Sequence, residues 1–395
     1  MDNQVYYSHY FFNLISNFTF YYFYPATGDE FRQHERRDLY GYDGKITHTA
    51  GLGAGSLTSS AGWGVRYDDV SPSFLAHTLN GDSLLNYIQL GQMRETAMYG
   101  SLDETLRSGK WLVDAGVRLD YLHFYYGNMA PATDTSAAIY AGVSPRAGRA
   151  IVSPKITIQY SANPRVQLYV KLGKGFHSND ARIVVARQGY EILPAAYGAD
   201  LGLNWKPLPR LFVNAALWWL YLQQEFRYGA DLGDQAVSPG GRTRRTGIDF
   251  SARYQFNDWL FGNLNVDLAR PRDLDAKMGE NFLPLAPGFT STAALDFRLA
   301  SGWNGGISYR YLRNRPANAG NTLTAPGYFV SDGSVNYTRK RWEMGLTIEN
   351  LFNQRWNESQ FDYVSRLKDE RTPVDEVSYT PGAPFFARLK FTVFF

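Results

Sequence analysis

The 395-residue sequence has no cysteine. A disulfide framework, a Cys-ligated zinc site, an iron–sulfur cluster and a thiol nucleophile are therefore excluded. The absence fits a chain that passes through an oxidising periplasm. An excess of one charge is also missing. The sequence has 40 Lys and Arg against 37 Asp and Glu, a net charge of +3. That balance gives no reason to expect nucleic acid as a partner. Histidine is sparse: His9, His34, His48, His77, His123 and His177 are scattered, with no H-x-x-x-H pair. The sequence therefore offers no metal site and implies no cofactor. Adjacent carboxylates such as Asp103 and Glu104 fall on opposite faces of a strand and form no acid–base dyad. No constellation reads as an enzyme.

Long apolar runs are missing too. The nearest is VYYSHYFFNLISNFTFYYFY, Val5 to Tyr24, which contains no Asp, Glu, Lys or Arg. Its length would suit a spanning helix. However, Ser8, His9, Asn13, Ser16, Asn17 and Thr19 interrupt it, and Tyr and Phe outnumber Leu and Ala. It reads as one long strand. It has no basic n-region or small-residue cleavage site, so it is not a signal peptide. GLGAGS, Gly51 to Ser56, resembles a phosphate loop but follows no βαβ pattern, and it reads as a periplasmic turn.

What is abundant is aromatic: 28 Tyr, 25 Phe and 9 Trp make up 16% of the chain. The mean hydropathy is −0.35, too polar for a bundle of membrane helices. A barrel with a polar interior gives this mixture. Alternation confirms the pattern. In LVDAGVRLDYLHFYY, Val113, Ala115, Val117, Leu119 and Tyr121 share one face; Asp114, Gly116, Arg118 and Asp120 share the other. RVQLYVKL and RWEMGLTIEN alternate likewise. The chain ends on PGAPFFARLKFTVFF, where Ala387, Leu389, Phe391, Val393 and Phe395 form an apolar face that runs to the last residue.

Short connections carry turn chemistry: Ser108-Gly109, Ala162-Asn163-Pro164, Lys206 to Pro209, Asn257-Asp258, Ser301-Gly302 and Arg339 to Arg341. Long ones lie between them, at 25–34, 71–86, 128–151, 177–194, 229–241, 271–287, 315–327 and 355–381. Trp111, Trp205, Trp259, Trp303 and Trp342 stand beside the short turns, as an interfacial girdle would. The expected fold is all-β: an antiparallel transmembrane β-barrel of about sixteen strands, in one domain over 1–395.

Three segments resemble a known family. SPKITIQYSANPRVQLYVKLGKGFHSNDAR contains the G-x-G-F-H-S-x-D-A-R run (Gly173, Gly175, Phe176, His177, Ser178, Asp180, Ala181, Arg182). ENLFNQRWNES is similar to an N-L-F-(D/N)-x-x-Y-x-E run, through Asn350, Leu351 and Phe352, with Trp356 where Tyr is usual. The closing strand is similar to P-G-x-P-R…L-x-x-x-F, with Phe385 or Phe386 where Arg is common and Phe395 at the end. These runs and their order resemble TonB-dependent outer-membrane receptors of Gram-negative bacteria.

The resemblance implies an outer-membrane receptor for iron–siderophore or similar metal chelates, and a family-typical twenty-two strands. It also implies a signal peptide, a TonB-contact box and a plug domain, for which this chain has no matching segment. On that resemblance its first strand would fit the seventh of a full receptor. TonB would engage only through the plug, the barrel-assembly machinery through the C-terminal strand, and lipid and lipopolysaccharide at the outer face.

Candidate ligand residues are His177, Asp180 and Arg182 where a strand leaves the membrane, and Arg242 and Arg244 in the basic run GGRTRRTG. Packing of the loop base, or a solvated face, is the plainer role for each group. Haem is disfavoured, since the site reads GFHSNDAR rather than the runs of haem receptors. A passive sixteen-stranded porin, a non-functional receptor fragment and a surface barrel without transport are the alternatives.

Overall fold

The computed structural model describes residues 1–131, 140, 142–178, 181–186, 191–227 and 238–395. Its strands are β1 (Asp2–Ser16), β2 (Glu30–Leu52), β3 (Gly55–Leu79), β4 (Ser83–Ser108), β5 (Trp111–Asn128), β6 (Arg146–Asn163), β7 (Val166–Phe176), β8 (Ala195–Leu208), β9 (Leu211–Leu222), β10 (Phe226–Arg227), β11 (Ser238–Pro239), β12 (Thr243–Gln255), β13 (Leu260–Asp273), β14 (Phe289–Arg298), β15 (Trp303–Leu312), β16 (Arg315–Pro316), β17 (Thr324–Ala325), β18 (Tyr328–Thr338), β19 (Trp342–Glu349), β20 (Asn357–Ser365), β21 (Val374–Pro381) and β22 (Phe386–Val393). A single helix, α1 (Ala181–Ala186), stands among the described residues.

Sixteen strands form one sheet in the order β1-β2-β3-β4-β5-β6-β7-β8-β9-β12-β13-β14-β15-β18-β19-β22. Sequence neighbours pair antiparallel, as alternating short and long connections require. The other six strands form three hairpins, β10-β11, β16-β17 and β20-β21, all within long loops.

Period-two alternation gives the sheet two chemically distinct faces. We call inner the face on which α1 packs. On β5 it carries Asp114, Arg118 and Asp120, then Leu122 and Phe124, which are buried beneath α1. The outer face carries exposed apolar side chains around the whole order, such as Leu102, Leu119, Leu201, Leu217 and Leu389. Trp111, Trp205, Trp259 and Trp303 are exposed at the short-turn rim. Ring contacts brace two of them: Trp111 lies 4.6 Å from Tyr160, and Trp303 lies 4.8 Å from Tyr337.

Three expectations about element bounds need correction. The run from Val5 to Tyr24 does not stay a strand to its end; β1 stops at Ser16. There the Asn17 side chain accepts the Phe20 N–H at 2.8 Å, and Phe20 adopts φ 55°. This local bond replaces the ladder and turns the chain. Segment 71–86 is not a long loop. β3 and β4 continue through it to a tight turn at Asn80 and Gly81, with φ of 52° and 78°. Asn-Gly is the pair that suits such a hairpin. The Gly81 N–H also donates to Glu30 Oε2 at 2.7 Å. Pro72, which cannot donate to a ladder, falls where the β3–β4 register shifts between Val70 and Ser73. Finally, β22 ends at Val393, so Phe394 and Phe395 lie beyond the strand.

The first and last long loops meet at the opposite rim. The Tyr21 N–H donates to the Arg366 carbonyl at 2.9 Å, and the Arg366 N–H to the Thr19 carbonyl at 3.2 Å. The Phe18 ring stacks on Tyr363 at 5.1 Å. Segment 17–29 is thereby joined to the turn after β20.

Candidate ligand site at the long-loop rim

The upper inner wall of β2–β4 is built from charged side chains that brace each other. Arg66 grips Asp68 with two hydrogen bonds of 2.8 Å. Arg37 donates to Glu35 at 2.6 Å and stands 3.5 Å from Asp68. Asp68 is itself buried. Arg66 and Asp68 are two apart on one strand, so both point inward from adjacent positions on the same face. Arg118 and Asp120 repeat the device on β5, with Nη2 2.7 Å from the carboxylate. The Arg118 guanidinium also lies 3.7 Å over the Tyr99 ring, whose hydroxyl donates to Asp43 at 2.8 Å. That bond passes across Gly64, where a Cβ would lie 2.4 Å from both the Tyr99 ring and the Asp43 carboxylate.

The loop after β7 folds inward. Ala181, Val184 and Val185 of α1 are buried, and the first two join Leu122, Phe124 and Leu193 in a cluster that Met93, Ala147 and Phe176 flank. Six residues make too short a helix to hold alone; the apolar patch of the inner wall supplies its stability. Between α1 and β2–β4 lies a cavity of ≈ 430 Å³, whose polar lining includes Arg37, Arg66, Asp68, Gln89, Glu95 and Arg182. It has both charge signs and an apolar margin of Val70, Leu75 and Met93.

The expected site residues separate in space. Arg182 lines this cavity and donates to Gln89 Oε1. His177 stands at the loop base, with Nε2 3.1 Å from the Gln224 carbonyl, so it ties two loops together. Asp180 lies outside the described residues. Arg242 is engaged with Asp275 at 2.6 Å, and that carboxylate raises its pKa. Arg244 projects from the outer face, away from the cavity.

Arg245 instead points inward and grips Glu225, with Nη1 2.9 Å from Oε2, while the Thr243 hydroxyl donates to the same oxygen at 2.5 Å. Burial alone would raise the Glu225 pKa; the bonds from Arg245 and Thr243 outweigh it and hold the carboxyl below its usual range. Gly173 and Gly175 face inward opposite Gly198 and Ala196, leaving the wall beneath the loop nearly bare.

Asn350 is buried with φ 51°. Its amide donates to the Gln354 and Ala383 carbonyls at 2.9 Å each, and its oxygen accepts the Gln354 N–H at 2.8 Å. It organises a turn and touches no cavity described above. Leu351 continues that turn through a backbone bond to Ser331, and Phe352 is exposed. Among the described residues, no group of three or more His, Asp or Glu side chains converges as a metal site.

Sequence reasoning missed Arg37, Arg66, Asp68 and Gln89. The signal for two of them was present: R-x-D at Arg66 and Asp68, as at Arg118 and Asp120, puts opposite charges side by side on one strand face.

A polar inner wall, an apolar outer band and an inward-folded loop together describe a membrane barrel with a recessed mouth. The family model for the TonB dependent receptor-like beta-barrel matches residues 1–351. The chain belongs to this family. Solved structures agree on the fold of this receptor barrel. The unliganded ferric citrate transporter FecA is 14% identical with a TM-score of 0.77, over 98% of this chain and 57% of that one. The ferric yersiniabactin uptake receptor FyuA from Yersinia pestis is 12% identical with a TM-score of 0.73, over 100% and 58%. The copper transporter OprC is 14% identical with a TM-score of 0.68, over 99% and 62%. The chain thus spans less than two thirds of each of these structures. No curated protein sequence matches it.

Proposed function

We propose that this chain is the barrel wall of a TonB-dependent receptor in the outer membrane of a Gram-negative bacterium, and that the receptor imports a metal chelate such as an iron–siderophore. The short-turn rim then faces the periplasm and the long loops face outward. The observation that carries the reading is the charged cavity between α1 and the upper wall of β2–β4. Arg37, Arg66 and Arg182 suit the carboxylate or phenolate oxygens of an anionic chelate. The apolar margin suits the body of such a ligand. Energised uptake would need TonB acting on a plug segment that the described fold does not contain. Outer-membrane lipid would surround the apolar band, and the barrel-assembly machinery would recognise the closing strand.

The test is a titration of the detergent-solubilised chain with ferric citrate and a ferric catecholate, read by quenching of tryptophan fluorescence. Saturable binding of either chelate, weakened at least about tenfold by Arg66→Gln with Arg182→Gln, supports the reading; each lost charge-assisted bond is worth about 1.5–3 kcal/mol. Binding of neither chelate, or equal binding by the variant, overturns this cavity as the ligand site.

A further inference from the structure

Buried charges in folded proteins are paired. Arg315 is an exception. It is 9% exposed, and no other Lys or Arg side chain among the described residues is buried. Arginines near it in the chain or in the loops have partners. Arg310 stands 3.7 Å from Asp332, Arg366 donates to the Glu370 and Tyr21 carbonyls, and the Arg272 guanidinium lies 4.6 Å over the Phe282 ring. For Arg315, among the described residues, no carboxylate acts on the guanidinium, and Nη1 has no hydrogen-bond partner. Burial lowers its pKa, and the Tyr328 hydroxyl is the one ionisable group that acts against the fall.

The hairpin that carries Arg315 is held by its surroundings. β16 pairs with β17 through Arg315 and Ala325. The Leu285 N–H donates to the Pro316 carbonyl at 2.7 Å, and the Phe282 N–H to the Ala319 carbonyl at 3.2 Å, which docks the loop after β13 on the hairpin. Gln360 of β20 donates to the Pro326 carbonyl at 2.8 Å. Leu283, Ala317 and Ala325 are buried. Exposing the guanidinium to water therefore means parting these segments. An uncompensated charge works against such packing. The closed arrangement calls for a counter-charge that the described side chains do not supply.

We infer that Arg315 and the Tyr328 hydroxyl bind a small inorganic anion of chloride size beneath the β16–β17 hairpin. Tyr328 opens β18 just after that hairpin, and its hydroxyl makes no hydrogen bond among the described residues. Two donors without acceptors suit a guest that only accepts. The tight packing favours a monatomic guest over a chelate. A buried water shared with Gln360 Oε1, which also lacks a partner, would satisfy Nη1 but leave the charge uncompensated. The anion acts as a pin: with it bound, the hairpin, the loop after β13 and β20 stay closed on one another. The site is separate from the chelate reading, because Arg315 does not line the cavity beside α1.

The test is amide exchange of the 395-residue chain, refolded in detergent, across a chloride series balanced with gluconate so that ionic strength stays fixed. Protection at 315–327 and 282–286 should rise with chloride along a single-site curve, about tenfold at ten times the dissociation constant, while 181–186 stays unchanged. In Arg315→Met the dependence should vanish and the order should cross. The variant should be better protected than wild type in gluconate, because the uncompensated charge is gone, and less protected in saturating chloride. Equal wild-type protection in chloride and gluconate, as a bound water would give, overturns the inference. So does chloride dependence retained by Arg315→Met, or a variant less protected than wild type in both media. If Arg315→Met does not fold, Tyr328→Phe carries the test. A chloride midpoint at least about twofold higher supports the inference, and an unchanged midpoint overturns it.

Discussion

The wall over β2–β5 and the wall over β14–β22 solve one problem in different ways. A strand needs about 9–11 residues to cross a bilayer. β3 and β4 have 25 and 26 residues, whereas β19 and β22 have 8 each. On the tall side the ladder itself continues past the bilayer, so Arg37, Arg66 and Asp68 ride on backbone fixed by cross-strand bonds. On the low side the strands stop, and loops build their own hairpins, β16-β17 and β20-β21. Those loops are held by buried polar side chains such as Asn350, Gln360 and Ser365. Ladder-borne groups are positioned by continuous cross-strand backbone bonds; loop-borne groups depend on a few side-chain bonds. The tall side therefore holds its charged groups through the sheet itself, whereas the low side holds its loops through local side-chain bonds.

The comparison can be broken most forcefully at Phe124, fully buried where α1 meets the tall wall. Phe124→Ala should cost about 3–5 kcal/mol in urea unfolding and release 181–186 to rapid amide exchange. Exchange unchanged in that loop would show that the inner wall does not hold it. On the low side, Asn350→Ala strands the Ala383 and Gln354 carbonyls. It should cost about 1–3 kcal/mol in the same assay, with new exchange confined to 350–385.

A third prediction concerns pH. The folded pKa of Glu225 lies below its unfolded value, so the Glu225–Arg245 pair contributes fully above the ordinary carboxylate range. The contribution fades as pH falls through that range and below. Glu225→Gln should flatten the acid limb of the stability profile; an acid limb identical to wild type would remove the pair from the account. The smallest effect belongs to the link between the two sides. Arg366→Ala removes the guanidinium bond to the Tyr21 carbonyl, 3.2 Å, and should cost about 0.5–1 kcal/mol. Amide exchange at 17–29 and 366–373 should rise together. A rise in only one of the two would show that they are not coupled.

Much of this was legible in the chain because β-sheet chemistry has period two. The alternation in β5 and β7 assigns faces, and Gly, Asn and Pro mark the short turns. The sixteen-stranded sheet followed from those signals. The upper half of β3–β4 was not read as a hairpin, because Pro72 and the serines around it look like a loop while the Asn80-Gly81 turn was passed over. The site was less legible than the fold. Arg182 reaches the cavity and Arg244 does not, although both stand in basic runs at strand ends. A one-residue difference in register sends Arg245 inward to Glu225 and Arg244 outward.

The sequence by itself determined the class of structure: strands with one wet and one apolar face, short turns on one rim, long loops on the other and, without cysteine, no thiol chemistry. Those properties are local, set by side-chain alternation and turn residues within a few positions. Tertiary structure decided that α1 folds inward onto Leu122 and Phe124, that segment 17–29 reaches Arg366, and that Arg315 is buried without a counter-charge among the described residues. Each depends on cross-strand register or on contacts between distant segments. A linear pattern does not carry that information, because a shift of one residue exchanges every inner side chain for an outer one.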